Sequence, residues 1–177
     1  GLRAERYRAR DDHELVDALE ELLYLLLFFD IEPSVIGRFA RTYDTAATHV
    51  YGAPLPRPSP RRPGKLRIGY LSADLRDHVM GRMMWAAIAG HDRDRFALHF
   101  YALSDDDDAW TAKFRGVADR FERVGHLDEN AAAALIAADD LDLLVDLCTH
   151  TRGARPGILA RKPARVQVTH VASAGCV

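Results

Sequence analysis

Residues 66–72 read Leu-Arg-Ile-Gly-Tyr-Leu-Ser, a run of mostly β-forming side chains that a polar loop and then a helix-like segment at 81–90 follow. The same succession returns along the chain, with strand-like runs at 96–103, 121–124, 141–147 and 165–171 and helix-like runs at 109–120 and 129–138. Strands that alternate with helices pair in parallel through right-handed crossovers. The sequence therefore predicts an α/β fold, a Rossmann-like parallel sheet with helices on both faces.

A segment rich in proline and arginine, residues 54–64, precedes the first strand. Proline removes backbone donors and holds the chain extended, so this segment is predicted to be a linker. Upstream, the pattern predicts two helices, at 13–29 and 34–49, with Ser34 as the N-cap of the second. The predicted organisation is a short helical appendage at 1–53, a linker at 54–64 and the Rossmann-like domain at 65–177.

The charge balance argues against a polyanionic partner. The 177 residues include 24 Lys and Arg against 26 Asp and Glu, a net charge of −2, so no overall positive field favours nucleic acid or an anionic membrane. The arginines at 3–10 are followed at once by acidic residues, which indicates a solvated helix face. The apolar run at 22–29 is shorter than the roughly 20 residues of a membrane span and predicts a buried helix.

The cysteine count and the N-terminus bear on the compartment. Cys148 and Cys176 lie far apart and form no framework of a small secreted scaffold, and no export signal is visible. A reducing, cytoplasmic location is therefore expected.

The loops that follow the first and fourth strands are the places to search for chemistry, because ligands of such sheets bind beyond the carboxyl ends of the strands. The first loop carries Asp74, Arg76, Asp77 and His78 and runs into a helix start, where free amides attract phosphate. It lacks a glycine-rich turn, and its charged residues fit caps and local ion pairs equally well. His78 is either a hydrogen-bonded loop histidine or an acid, base or phosphate donor.

The second loop, 148–157, combines Cys148, His150, glycines and Pro156, which suits a first helical turn. A metal site or a thiol nucleophile is disfavoured there, because no CxxC pair or nearby carboxylate set accompanies Cys148. The acidic run 105–108 lacks the alternating ligands and glycine of a calcium loop. It predicts a solvated turn, with Asp108 as a helix cap.

Four runs in order resemble the start of the catalytic region of the O-linked N-acetylglucosaminyltransferase and SPINDLY family, of the bacterial type. They are KLRIGYLSADLRDH at 65–78, RF through YALS at 95–104, LLVDL at 143–147 and HTRGARPGILA at 150–160. The resemblance covers the chain from 65 to 168. It implies the N-terminal half of a GT-B fold, and in bacterial members a helical segment like the one at 22–49 precedes the catalytic region.

The resemblance also implies an activity. The family transfers N-acetylglucosamine, or in some members fucose, from a nucleotide sugar to Ser or Thr hydroxyls of an acceptor protein or peptide, with inversion and without a metal or other cofactor. His78 matches the family's active-site histidine. The positions that match its substrate-binding and nucleotide-sugar-binding motifs are Asp74, Gly81, His150, Thr151, Gly153 and Arg155.

The chain also departs from the family pattern. His170 stands where the family has tryptophan, and of the turn that borders the acceptor only Gly175 is kept, within 172–176. The second Rossmann half, which supplies most donor contacts, is absent from this sequence, so it is expected in cis or trans and activity of these residues alone is expected to be negligible.

Two other functions stay open at this stage. One is a degenerate, catalytically silent module that binds a protein partner through its helices or its uncovered cleft face. The other is a generic nucleotide-binding or receiver-like domain, which the lone Asp74 beside Arg76 fits poorly.

Overall fold

The computed structural model describes residues 2–26, 28–56, 60–148, 151 and 153–170, with side chains from residue 12 onward. The elements, in chain order, are α1 (Leu2–Leu26), α2 (Pro33–Tyr51), β1 (Leu66–Ser72), α3 (Val79–Ala89), β2 (Phe96–Ala102), α4 (Ala109–Val117), β3 (Arg120–Arg123), α5 (Glu129–Ala138), β4 (Leu143–Asp146), α6 (Pro156–Ala160) and β5 (Val166–Thr169). The predicted fold class, an α/β sheet preceded by helices, is confirmed.

The five described strands form one parallel sheet in the order β3-β2-β1-β4-β5. β1 lies at the centre, where Tyr70 pairs with Phe100 of β2 on one side and with Val145 of β4 on the other. Because the strands are parallel, their carboxyl ends share one edge of the sheet, and the loops after β1, β2 and β4 meet there. We call this edge the rim.

Helices cover both faces of the sheet, as predicted. On one face α3 and α4 bury an apolar cluster that contains Ile88, Phe100 and Phe114. On the other face α5 and α6 bury a second cluster around Ile136 and Ile158. Burial on both sides explains why the central strands are almost continuously apolar in sequence.

The two N-terminal helices differ from their predicted bounds. α1 begins at Leu2 rather than at 13, because the Arg-, Ala- and Glu-rich residues before 13 favour helix even without an apolar period. α2 begins at Pro33, so the prediction of Ser34 as N-cap is wrong: the cap position is Glu32, and no side chain caps it. Proline suits the first helical position, since the amide that it lacks would have no partner within the helix and its fixed φ is already helical.

The apolar run at 22–29 is only partly buried. Leu23 packs fully in the α1–α2 core, whereas Phe28 and Phe29 follow the helix and are 68% and 64% exposed. α1 buries only the face that α2 covers, so the run predicted as a buried helix is buried only in part. Among the described residues, none of the helices has the length and apolar character needed to cross a membrane.

The helical hairpin and the proline-rich segment lie against the α/β domain. The Tyr51 ring of α2 packs so closely on Gly157 of α6 that a β-carbon there would come within 2.7 Å of it. Leu55 N–H donates to the carbonyl oxygen of Arg161 at 2.8 Å, and Arg61 Nε donates to Asp142 Oδ1 at 2.6 Å. The described parts of the segment predicted as a linker are therefore fastened to the domain.

A buried carboxylate joins several elements at the edge opposite the rim. The side chain of Asp140 is 2% exposed, and its oxygens lie 2.8 Å from Arg165 Nη2, 3.4 Å from Arg67 Nη1 and 3.3 Å from Arg62 Nε. Arg67 also donates to the backbone carbonyl of Asp140. Asp140 has φ of 51°, a conformation that aspartate tolerates better than most residues. One carboxylate thus ties the start of β1, the start of β5 and the incoming segment together.

A largely buried histidine side chain makes the stability of the fold depend on pH. The side chain of His99 in β2 is 13% exposed, and burial lowers its pKa below the usual 6.5, with Asp139 opposing the shift. The unfolded chain therefore binds a proton first as the pH falls, so His99 costs no stability above about pH 6.5 and an increasing amount below it. We expect the urea midpoint to fall more steeply between about pH 7.5 and pH 5 in the wild type than in His99→Gln. Equal slopes would contradict this.

Candidate functional site

The rim consists of residues of three loops: 73–78 after β1, 103–108 after β2 and, after β4, the described residues 147–148, 151 and 153–155. The amide of Asp77 donates to Asp108 Oδ2 at 2.6 Å, which joins the first two loops. The amide of Ala73 donates to Cys148 Sγ at 3.2 Å, which joins the first to the third. Segments distant in sequence are thus held side by side, as the parallel topology predicts.

His78 lies at the helix end of the first loop and caps α3. Its imidazole is 39% exposed, and its Nδ1 lies 3.3 Å from Met80 N and 3.3 Å from Asp74 Oδ2. The two contacts require different tautomers: Nδ1 accepts from the Met80 amide when Nε2 carries the proton, and donates to Asp74 when Nε2 is bare. Nε2 bonds to no residue that the structure describes. His78 is therefore equipped to give or take a proton at Nε2.

Asp74, the second predicted site residue, orients the same loop. Its amide donates to the buried Ser72 Oγ at 3.0 Å, and its carboxylate faces both Arg76 Nη2, at 3.3 Å, and the imidazole of His78. Arg76 Nε also lies 3.2 Å from Asp106. Arg76 thus forms ion pairs with two carboxylates of the neighbouring loops, and the interpretation of these residues as local ion pairs is confirmed here.

Gly81 lies in the first turn of α3 and faces the first loop. A β-carbon at this position would come within 2.7 Å of the carbonyl oxygen of Arg76 and 2.9 Å of that of Asp74. Glycine lets the helix pack directly on the backbone of the loop that carries Asp74 and His78. Gly81 thus supports the site without itself offering a polar side chain.

The third loop folds back toward β4. Thr151 donates through both its amide and its hydroxyl to the carbonyl oxygen of Cys148, at 2.9 and 2.7 Å. Gly153, with φ of 88°, lies so close to Ala73 that an added β-carbon would come within 3.1 Å of the Ala73 methyl group. The structure therefore brings Thr151 and Gly153 beside the loop that bears His78.

Arg155 turns away from His78 and clamps α5. Its Nε donates to Glu129 Oε1 at 2.6 Å, and its other nitrogens donate to the carbonyl oxygens of Gly125 and Leu127 at 3.2 and 2.8 Å. The bond to Glu129 raises the pKa of Arg155; burial of Glu129 opposes the effect of Arg155 on the other side of the pair, and the net result is a lowered pKa of the Glu129 carboxyl. All three nitrogens of the guanidinium are used within the protein, so the role predicted for Arg155 in substrate binding stays a prediction.

Cys148 has a structural role at the rim, where it joins the third loop to the first. It is fully buried, and burial raises the pKa of its thiol to about 11, so it stays protonated at neutral pH. A thiolate is the nucleophilic form of cysteine, hence the buried position disfavours a nucleophile. Across the described part of the chain, no three His, Cys, Asp or Glu side chains are grouped as a metal site would require.

The acidic run after β2 is a capping loop. Asp108 Oδ1 accepts from the amides of Trp110 and Thr111, both at 2.8 Å, and Thr111 Oγ1 accepts from the amide of Asp108. These bonds hold the pKa of the Asp108 carboxyl below its ordinary value. The predicted cap is confirmed, and the structure adds the link from Asp108 to the first loop.

Some predicted positions lie outside the described residues, namely His150 and the turn at 172–176. The sequence also did not indicate the contact between Ser72 and Cys148, two buried residues at the end of β1 and just after the end of β4. Ser72 Oγ and Cys148 Sγ are 3.9 Å apart, although 76 positions separate them in sequence. Only the apolar strands around each residue signalled that both would be buried.

Comparisons with known proteins identify the same region. The sequence profile of glycosyl transferase family 41 matches residues 47–176. The probable UDP-N-acetylglucosamine–peptide N-acetylglucosaminyltransferase SEC of Arabidopsis thaliana is 33% identical over 129 residues, which are 72% of this chain and 13% of SEC. The probable transferase SPINDLY of the same plant is 31% identical over 116 residues, 63% of this chain and 12% of SPINDLY.

A solved structure agrees in fold. The O-GlcNAc transferase of Thermobaculum terrenum, solved as a point mutant, superposes with a TM-score of 0.70 and 30% sequence identity. The match covers 89% of this chain and 31% of that enzyme. The sequence in hand therefore spans about a third of that transferase and about an eighth of the plant relatives.

Proposed function

The chain belongs to glycosyl transferase family 41, and from this premise we propose that it is the N-terminal part of a protein O-glycosyltransferase. The proposed reaction moves N-acetylglucosamine, or a related sugar, from a UDP-sugar to Ser or Thr hydroxyls. Support for the donor and for a peptide acceptor comes from the names of the relatives. The free thiol of Cys148 accords with the proposed cytoplasmic location.

The observation that carries the proposal is the pairing of an exposed His78 with Asp74 at the rim. In the proposed reaction the acceptor oxygen forms a bond to the anomeric carbon while the bond to the diphosphate breaks. With Nδ1 donating to Asp74, the bare Nε2 takes the proton of the acceptor hydroxyl. Asp74 then stabilises the imidazolium that forms, and no metal is needed for this step.

The proposed enzyme needs further residues on the opposite side of the substrate cleft. Holding a diphosphate requires donors aimed at the leaving oxygens and the exclusion of water. Among the described residues of the first loop and α3, Arg76 and Arg82 are the cations near His78 in sequence, and both are paired with carboxylates: Arg76 with Asp74 and Asp106, Arg82 with Asp77. We infer that a C-terminal α/β half, in cis or in trans, supplies the remaining donor contacts.

The test compares the chain alone with the chain joined to the C-terminal half of the Thermobaculum enzyme. Labelled UDP-N-acetylglucosamine and a Ser-containing peptide are the substrates, and a matched peptide with Ala in place of Ser is the control. We expect transfer by the joined protein to the Ser peptide only. A folded joined protein that transfers no sugar from any UDP-sugar, or transfer by the chain alone, would contradict the proposal.

A further inference from the structure

A groove lies between α1 and α2, and none of the described residues that line it belongs to the rim. It has a volume of about 720 Å³, and Leu15 of α1 and Ala46 of α2 line it together with polar residues of α2. Leu15 is 47% exposed although it is a large apolar side chain. The surface that lines the groove is therefore mostly apolar, although most of the residues that contribute to it are polar.

Two arginines line the same groove. Arg38 and Arg41 are both exposed and stand three positions apart on α2, the spacing that places side chains on neighbouring parts of a helix face. Neither guanidinium makes an ion pair with any residue that the structure describes. By contrast, Arg76 forms an ion pair with Asp74, and Arg155 forms one with Glu129.

The acidic side chain that lines the groove already contacts another residue of the chain. Asp12 is the one acidic residue among the described residues that line it, and its Oδ2 lies 3.4 Å from His49 Nε2. The hydroxyls of Thr42 and Thr45 donate to backbone carbonyls one turn earlier, so they present acceptor lone pairs and no free proton. The groove therefore has an excess of positive charge, although the chain as a whole carries −2.

We propose that this groove binds an acidic segment of a partner protein. Two carboxylates of the segment pair with Arg38 and Arg41, because guanidinium groups bind carboxylates through parallel, charge-assisted hydrogen bonds. An apolar side chain of the segment covers Leu15. A nucleic acid is disfavoured, because two guanidiniums and an aliphatic floor give neither a long phosphate track nor an aromatic surface for base stacking.

The test uses a dye-labelled peptide of Glu, Leu and Ala and the change in its fluorescence anisotropy on binding. We expect salt-sensitive binding to the wild-type chain, and a loss of about tenfold in affinity in Arg38→Gln/Arg41→Gln. The matched control is Lys65→Gln/Arg95→Gln, which removes the same charge from the exposed surface of the α/β domain. This control is expected to bind as the wild type does.

Two further measurements distinguish binding in the groove from nonspecific electrostatic attraction. A peptide with Gln in place of each Glu is expected not to bind. Arg38→Lys/Arg41→Lys is expected to keep part of the affinity, because the charge remains while the bidentate geometry is lost. The proposal is overturned if Arg38→Gln/Arg41→Gln binds the Glu peptide like the wild type, or if single-stranded RNA of equal charge displaces it. No sugar enters the assay, so its outcome is independent of the proposed transferase activity.

Discussion

Replacing His78 by alanine is expected to lower sugar transfer by about two to four orders of magnitude, in the chain joined to a C-terminal half. The alanine variant lacks the nitrogen that takes the acceptor proton in the proposed reaction, whereas the loops around it remain joined through Asp108 and Cys148. The measurement is kcat for transfer from UDP-N-acetylglucosamine to a Ser peptide. A matched variant, His13→Ala, removes an exposed histidine of α1 and is expected to retain turnover.

A second substitution at the same position separates catalysis from helix capping. His78 accepts the Met80 amide as N-cap of α3, so His78→Ala also costs stability, about 0.5–2 kcal/mol. Asparagine is among the best N-caps and has no titrating nitrogen. We therefore expect His78→Asn to unfold at the wild-type temperature or above it and to be as inactive as alanine. Wild-type turnover in His78→Asn would remove His78 from the mechanism.

Removing the Asp140 carboxylate is expected to lower the free energy of unfolding by about 3–5 kcal/mol. The loss leaves Arg67 and Arg165, both 23% exposed, without the oxygens of Asp140 that they face in the folded state. A buried charge without its partner loses hydration that nothing replaces. Urea unfolding monitored by circular dichroism measures the change.

The choice of variant matters, because the backbone at Asp140 has a positive φ. Asp140→Ala adds backbone strain to the loss of charge, whereas Asp140→Gly allows the same φ without strain. A large decrease in the free energy of unfolding of the glycine variant is therefore due to the loss of the carboxylate itself. The control is Asp94→Ala, at an exposed loop position, with an expected change within about 0.5 kcal/mol. An unchanged midpoint in Asp140→Gly would show that the arginines need no buried partner.

The fold could be predicted from the sequence because its signals are local. The run around Tyr70 is β-forming and is followed by a loop and a helix, and this succession alone fixes a parallel sheet and its rim. Helix boundaries were predicted less accurately where two preferences competed. At Pro33 and Ser34, the preference of proline for the first helical position prevailed over that of serine for the N-cap. The extension of α1 to Leu2 depends on intrinsic propensity and leaves no apolar period to detect.

The pairing of side chains at the rim could not be predicted. Arg155 lies in a family motif next to other candidate residues, yet it pairs with Glu129, 26 positions earlier. Asp74 and His78 were recognisable as candidates, whereas the contact between Ala73 and Cys148 joins residues 75 positions apart. Such contacts follow from the packed sheet and have no signature in a single sequence.

The central position of β1 also governs how the chain acquires its structure. β1 pairs with β4, so that Arg67 N–H bonds to Asp142, 75 residues later. Loop closure over this distance has an entropic cost before any pairing compensates for it, which slows folding. During synthesis, β1 and β2 emerge long before β4 can cover the other side of β1. We expect the α1–α2 hairpin to form early and the sheet to close late, with a slow refolding phase that is set by β4.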